Sequence, residues 1–343
     1  MHTEDDQDKG TSSVRLLGNA AWKLRSALKS PDIVPGYLAK HLNATTRALV
    51  HGGVREAMFS LPELIDAGTY GPYIRQQGKD GLLKRPVQGF EMWLPVDDIG
   101  LSRELIRQGV HEPRSTELYG QLLRKLAERV DGVTVFEVGT NIGYFALLAL
   151  DTLPADARMY AVEPNPLNCR LFERNLELNE YRGRVDVGEV ALSDRNGTAE
   201  FYLSEATNWS QLGSPPEHYS GESIEVEVVT GDSFLREKGV DPVEVNVVRM
   251  DVQGHELDVL RGIPDVLGGE APLLLYVEIH EVLHDRGQIG TLVDILERNG
   301  LFLERGFAEH PFLPTLTFEE FERVCEYTFN RTNQLRLFVR NEW

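Results

Sequence analysis

Residues 135–143 read Val135-Phe136-Glu137-Val138-Gly139-Thr140-Asn141-Ile142-Gly143, an apolar run that ends in an acid and passes into a Gly-x-Asn-x-Gly loop. The next segment, Tyr144 to Leu150, has helical character. A strand, a glycine turn and a helix start are the parts with which an open α/β sheet binds an adenosine-containing cofactor. The acid narrows the choice. A dinucleotide brings a doubly charged pyrophosphate, which Glu137 would repel in a partly desolvated cleft. S-adenosylmethionine (SAM) brings a sulfonium and an ammonium, which a carboxylate attracts. SAM is therefore the expected cofactor, and a NAD-dependent oxidoreductase on the same fold is the alternative.

Glu163 follows Gly139 by 24 residues, after the run Arg158 to Val162. That spacing suits a carboxylate that accepts the ribose hydroxyls of adenosine. Asn141 either holds the loop or touches the cofactor with its amide, or it adopts a positive φ in the turn. Asp194, in Ala191-Leu192-Ser193-Asp194, stands where an adenine amine would be read, or else it starts a turn before Asn196-Gly197. Farther along, Arg249-Met250-Asp251-Val252-Gln253-Gly254-His255-Glu256 and Tyr276-Val277-Glu278-Ile279-His280 each close an apolar run. Asp251 would lie at the cleft mouth near the sulfonium, or cap the following helix through the Gly254 amide. A glutamate such as Glu278 inside an apolar strand is costly unless paired or catalytic. His255 and His280 are candidate proton acceptors for a hydroxyl being methylated.

These residues require a frame of alternating strands and helices. The apolar runs predict strands at 133–138, 158–162, 185–192, 243–250, 273–279, 301–303 and 334–340, the last antiparallel. Helices are expected at 114–129, 232–238, 254–261 and 289–299, with a half-exposed strand at 224–230 and a hairpin within 82–96. The fold class that follows is α/β, a doubly wound and mostly parallel seven-stranded sheet of Rossmann-like type. In such a sheet every polar residue named above falls at a strand's carboxyl end, where ligands bind. The expected domains are a disordered tail at 1–12, a helical N-terminal extension with the hairpin at 13–110, and the catalytic domain at 111–343.

The chain has 343 residues, 41% of them hydrophobic, and a net charge of −19. A surface so negative excludes free nucleic acid as a partner. Only 8 of its 35 basic residues are lysines, a balance that suits solubility in high salt or an ordinary acidic cytoplasmic protein. Its two cysteines, Cys169 and Cys325, have no metal-ligand spacing, and no metal site is expected. Met1 to Lys9 carries no signal-peptide pattern, and no apolar run is long enough to span a bilayer, so a cytoplasmic location is expected. Between Thr11 and Ser60 seven basic residues stand against two acids, with Leu17, Ala21, Leu24 and Leu28 at helical spacing. That segment reads either as an amphipathic helix on the inner membrane face or as a helix packed on its own domain.

Four blocks together resemble the FkbM family of SAM-dependent O-methyltransferases: residues 136–143, Val162-Glu163-Pro164-Asn165, residues 248–256 with Leu260-Arg261-Gly262, and Val277-Glu278-Ile279-His280. The lead-in from Gly89-Phe90-Glu91-Met92 to His111-Glu112-Pro113 is similar too, so the resemblance covers about residues 88–283. It implies a class I methyltransferase fold and methylation of a hydroxyl on a sugar, glycan or other natural product. It also implies donor binding at Glu137, Gly139, Asn141, Gly143 and Glu163. The family commonly has Asp at position 137 and Lys-x-Asp-x-Glu-Gly where this chain has Arg249-Met250-Asp251-Val252-Gln253-Gly254. Arginine does not deprotonate and glutamine takes no proton, which leaves Asp251, Glu278, His280 and His255 as catalytic candidates. The same two changes admit a SAM-binding partner protein without turnover as a further alternative.

Overall fold

The computed structural model describes residues 78, 80–204, 206–215, 219–309 and 334–343. The chain divides into two compact units, residues 1–83 with 95–97 and residues 84–94 with 98–343. Little of the first lies within the described residues; there Val96 N–H donates to the Gly81 carbonyl at 3.0 Å. The basic segment at 11–60 and the tail at 1–12 lie outside the described residues.

The described elements begin with a hairpin of β1 (Leu82–Val87) and β2 (Phe90–Pro95), followed by α1 (Leu101–Gln108) and α2 (Pro113–Ala127). Alternation then sets in. It runs β3 (Thr134–Val138), α3 (Tyr144–Thr152), β4 (Arg158–Val162), α4 (Pro166–Leu178) and β5 (Val185–Gly188). After an inserted sheet come α5 (Gly231–Glu237), β10 (Val247–Met250), α6 (Glu256–Arg261), α7 (Pro264–Leu267) and β11 (Leu274–His280). The chain continues through α8 (Glu281–Asp285), α9 (Ile289–Arg298), β12 (Phe302–Phe307) and β13 (Gln334–Arg340).

The main sheet has seven strands in the order β12-β13-β11-β10-β3-β4-β5. β11, β10, β3, β4 and β5 are parallel neighbours, and β13 is antiparallel to both β11 and β12. The middle strands β10 and β11 are buried at every residue, which is why they read as continuous apolar runs instead of alternating ones. Strand order reverses between β10 and β3, so the switch-point crevice opens above that pair.

Two expected strands differ in their course. The run 185–192 is two strands: β5 leaves the main sheet at Gly188, and β6 (Ala191–Leu192) pairs with β9 (Tyr219–Val229) in a second sheet. That sheet, ordered β6-β9-β7-β8, also contains β7 (Gly197–Ser204) and β8 (Gln211–Leu212), packed on Ala191, Phe201, Val226 and Val228. One apolar run serves two sheets, and apolarity alone carries no mark of the handover. Strand 243–250 shortens to β10 because Pro242–Glu244 forms a 3-10 turn, with the Asp241 side chain accepting from Val243 N–H. Among the described residues no helix is long and apolar enough to cross a membrane.

Candidate active site

The crevice is a cleft of about 580 Å³, open to solvent, over the carboxyl ends of β3, β4 and β10. Its polar side consists of Gly139, Asn141, Glu163, Asp251, Gln253 and His255; Val190, Leu192, Phe201 and Leu212 form an apolar wall. The floor is the turn after β3. Gly139, Asn141 and Gly143 have φ of 76°, 53° and 95°, so the chain there runs through left-handed conformations that favour glycine and tolerate asparagine. A Cβ on Gly139 would collide with the Asp251 carbonyl, and one on Gly143 with the Phe172 ring. The N–H groups of Gly139 and Thr140 donate to the Val162 carbonyl at 3.0 and 3.1 Å, tying the turn to the end of β4.

Glu163 stands at that strand end, 5% exposed. Its carboxylate accepts from Asn141 N–H at 2.8 Å, Asn165 N–H at 3.0 Å and the Asn168 amide at 3.3 Å. These bonds fix its rotamer and leave lone pairs for a ligand. Burial pushes its pKa up to about 7, against the pull of the three donors. Asn141 has the positive φ and holds the loop, its side chain accepting from Ile142 N–H at 2.7 Å, and it lines the cleft.

Three predicted donor residues stand elsewhere than the sequence implied. Glu137 is fully buried beneath the turn, not at the mouth, and its charge is met by Arg249 at 3.3 Å. Repulsion of a pyrophosphate by Glu137 therefore loses its basis, because the paired guanidinium offsets the carboxylate. Gly143 does not line the cleft; it lets the turn pack on Phe172. Asp194 is outside the lining, held by Ser193 Oγ at 3.3 Å and Arg195 at 3.0 Å, while the neighbouring Ala191 and Leu192 supply cleft surface. Nor does Asp251 cap α6: the Gly254 amide donates to Glu256 at 2.9 Å.

Of the four catalytic candidates, Asp251, Glu278 and His280 converge, with one ligand atom from each within 4.8 Å of the others. His255 stands apart on the cleft wall, its Nε2 2.9 Å from Ser193 Oγ, and burial lowers its pKa, so it is neutral at pH 7. The converging three belong to a buried ionic chain. Arg249 bridges Glu137 and Asp251, each at 3.3 Å, with its guanidinium 4.4 Å from the Phe145 ring centroid. His280 Nδ1 lies 2.7 Å from Glu256, and its Nε2 faces Asp251 at 3.8 Å and Glu278 at 3.7 Å. Arg336 joins Glu278 at 3.1 Å to Glu112, which also accepts from Tyr276 Oη at 3.0 Å.

Burial, with Asp251 and Glu112 nearby and Arg336 opposing, pushes the Glu278 pKa up to about 8. Burial opposes the charge on His280, but Glu256, Glu278 and Asp251 outweigh it and hold that pKa at about 9. In this state His280 keeps its proton at pH 7 and does not act as a base.

Three parts of the site were absent from the sequence reading. Glu256 was quoted only as part of a block. Arg336 sits between Leu335 and Leu337 in β13, directly opposite Glu278 in register. The argument that singled out Glu278, a charge in an apolar strand, applies equally to Arg336 and would have paired them. The third is a clasp over the cleft: Asp98 accepts from Thr207 N–H at 3.0 Å and Thr207 Oγ1 at 3.2 Å, holding a short 3-10 turn, Thr207–Trp209, of the inserted sheet. Its signal is weak, an ordinary Asp before a helix.

Sheet order, glycine turn and strand-end carboxylate give a doubly wound α/β fold with a nucleoside-type cleft, and the family that the chain matches makes it a SAM-dependent methyltransferase. The chain belongs to the FkbM methyltransferase family, whose domain matches residues 137–329. Among its relatives, a 2-O-methyltransferase, NoeI, of Sinorhizobium fredii is 30% identical over 45% of this chain and 67% of its own length. A hexuronic acid methyltransferase, AglP, of Haloferax volcanii is 32% identical over 47% of this chain and 60% of its own. The 31-O-demethyl-FK506 methyltransferase FkbM of Streptomyces tacrolimicus is 28% identical over 52% and 76%.

Proposed function

We propose that this chain transfers the methyl group of SAM to a hydroxyl of a sugar, glycan or related natural product. The carrying observation is that Glu163 and Asp251 face one cleft from the ends of β4 and β10, beside an apolar wall. Such a cleft fits the donor: Glu163 is available to the ribose hydroxyls, the wall of Val190, Leu192, Phe201 and Leu212 to the adenine, and Asp251 to the sulfonium end. Bound there, SAM supplies an electrophilic methyl and a neutral thioether leaving group. The protein's work is to hold the acceptor oxygen in line with that methyl and to take up the hydroxyl proton at the mouth. The sugar reading is supported by relatives named as a 2-O-methyltransferase and a hexuronic acid methyltransferase.

The test is methyl transfer from labelled SAM into a panel of glycans, uronic acids and macrolides. Label that survives mild base is an ether and supports the proposal; label released by base is an ester and moves the acceptor atom to a carboxylate. No transfer to any acceptor favours a binding role. A binding experiment addresses Glu163 separately. Its ionised form is the better acceptor for ribose hydroxyls, and with a pKa of about 7 it is mostly protonated at pH 6. Affinity for S-adenosylhomocysteine should be up to about tenfold weaker at pH 6 than at pH 8. Glu163→Ala should weaken binding at pH 8 and flatten the pH profile, and a profile unchanged by the substitution places the ribose elsewhere.

A further inference from the structure

We propose that Asp251, Glu278 and His280 form a binding site for a divalent cation, Mg²⁺ or Mn²⁺, at the edge of the cleft, where it orients an acceptor hydroxyl and lowers its pKa. This rests on the methyl-transfer reading but adds a ligand that reading does not contain. Three observations carry it.

The first is ligand type and placement. Two carboxylates and an imidazole come from the ends of adjacent parallel strands, and Asp251 also lines the cleft. With Asp251 Oδ1 and Glu278 Oε1 at 3.8 and 3.7 Å from His280 Nε2, and no pair beyond 4.8 Å, a point about 2.5 Å from all three exists. Bond lengths of 2.0–2.1 Å require only side-chain contraction of a few tenths of an ångström. Two carboxylates with one imidazole match the oxygen-rich ligand sets of Mg²⁺ and Mn²⁺.

The second is the orientation of His280. Its Nδ1 is engaged by Glu256, which is itself pinned by the Gly254 amide. This is how metal-ligating histidines are held: the far nitrogen donates to a carboxylate and the near one points at the ion. Here the near one faces two carboxylates, with the Gln334 side-chain nitrogen 3.4 Å away.

The third is charge. Glu112, Glu137, Glu256 and Glu278 are buried and Asp251 is nearly so, five carboxylates in one connected chain, yet the arginines within it are two, Arg249 and Arg336. Buried carboxylates are expensive without compensation. Arg336 is shared between Glu112 and Glu278, and Arg249 between Glu137 and Asp251, so two guanidiniums and the His280 imidazole serve all five carboxylates. One oxygen of Glu256 has no hydrogen-bond partner among the described residues. A divalent cation in the proposed site would meet Asp251 and Glu278 where both face His280 Nε2. The hydroxyl proton released during transfer passes to water at the mouth; the C–S bond of SAM breaks as the O–C bond forms. These ligands lie 27 residues apart on two strands, which is why cysteine and histidine spacing gave no hint of them.

The experiment strips the whole chain with EDTA and titrates it with Mn²⁺, reading water-proton relaxation and calorimetry, with S-adenosylhomocysteine binding measured on the same sample. One Mn²⁺ per chain, displaced by Mg²⁺, is expected. Asp251→Asn and Glu278→Gln should each weaken it more than tenfold. Glu256→Gln, which removes the carboxylate that holds His280 Nδ1, should weaken it about 10–100-fold. No Mn²⁺ bound by the wild-type chain at millimolar concentration overturns the inference whatever the variants do, as does binding indifferent to Asp251 and Glu278. Nucleoside bound without Mn²⁺ removes only the cation site. Mn²⁺ bound without nucleoside keeps the cation site and removes the donor assignment on which methyl transfer rests.

Discussion

Replacing Arg249 by methionine should destabilise the fold by about 3–5 kcal/mol, the cost typical of removing one partner from a buried ion pair. Methionine matches the length and apolar body of the arginine, so packing against Phe145 and Tyr276 is largely kept. What is lost is the positive charge between Glu137 and Asp251, with Glu137 sealed from water at 0% exposure. Even with Arg249 present, burial pushes the Glu137 pKa up to about 7. Without it, Glu137 must fold as the neutral acid. The sign follows from linkage: a carboxyl whose folded pKa is raised above its unfolded value binds the proton more tightly when folded. The Arg249→Met protein should therefore be most stable below the unfolded value near 4.5 and lose stability as pH climbs through the folded value. Urea denaturation at pH 5 and pH 8 checks this. Glu137→Gln combined with Arg249→Met should recover a large part of the loss at pH 8, because the stranded charge goes with its partner. A double variant no more stable than Arg249→Met alone would assign the cost to packing on the aromatic rings instead.

That pair also marks how far the sequence could be read. The parallel strands were legible because burial on both faces writes itself as unbroken apolar runs, and Val247–Met250 and Leu274–His280 are buried throughout. The glycine turn was legible because positive φ leaves few residue choices, and Glu163 was legible as a cleft residue because it follows a strand end, where ligand crevices of such sheets open. Glu137 was placed correctly at the end of β3 and wrongly in the cleft. Strand alternation assigns a side chain to one of two faces, and in a sheet covered on both faces neither is marked as the wet one. The same limit hid Arg336 and Glu256. Each charge has a partner far along the chain, Glu278 across the β11–β13 register and His280 at the β11 end, and a single sequence holds no record of which distant charges meet. The inserted sheet was missed as a cleft wall for a different reason: Ala191-Leu192 continues an apolar run whose change of sheet depends on tertiary pairing with β9.

We propose that the chemistry turns on Asp251, and its replacement by asparagine should lower methyl-transfer turnover by about 100-fold or more while changing the affinity for S-adenosylhomocysteine only a few-fold. The asymmetry follows from its neighbours. Asp251 lines the cleft but is held from behind by Arg249 at 3.3 Å and Gln253 at 2.7 Å, so its carboxylate is already oriented before any ligand arrives. The thioether product has no sulfonium charge to meet, and in the proposed placement its ribose and base depend on Glu163 and the apolar wall, so product binding should have little to lose. Turnover has more. An in-line transfer is sensitive to displacements of about 1 Å, which alone cost about 100-fold, and asparagine removes the charge that fixes the Arg249 and His280 side chains around the reacting groups. Single-turnover kinetics with saturating donor separates the two quantities. Equal losses in donor-product affinity and in turnover would make Asp251 a nucleoside ligand. A normal single-turnover rate would remove it from the transfer step altogether, leaving Glu278 and His280 to organise the acceptor from the neighbouring strand.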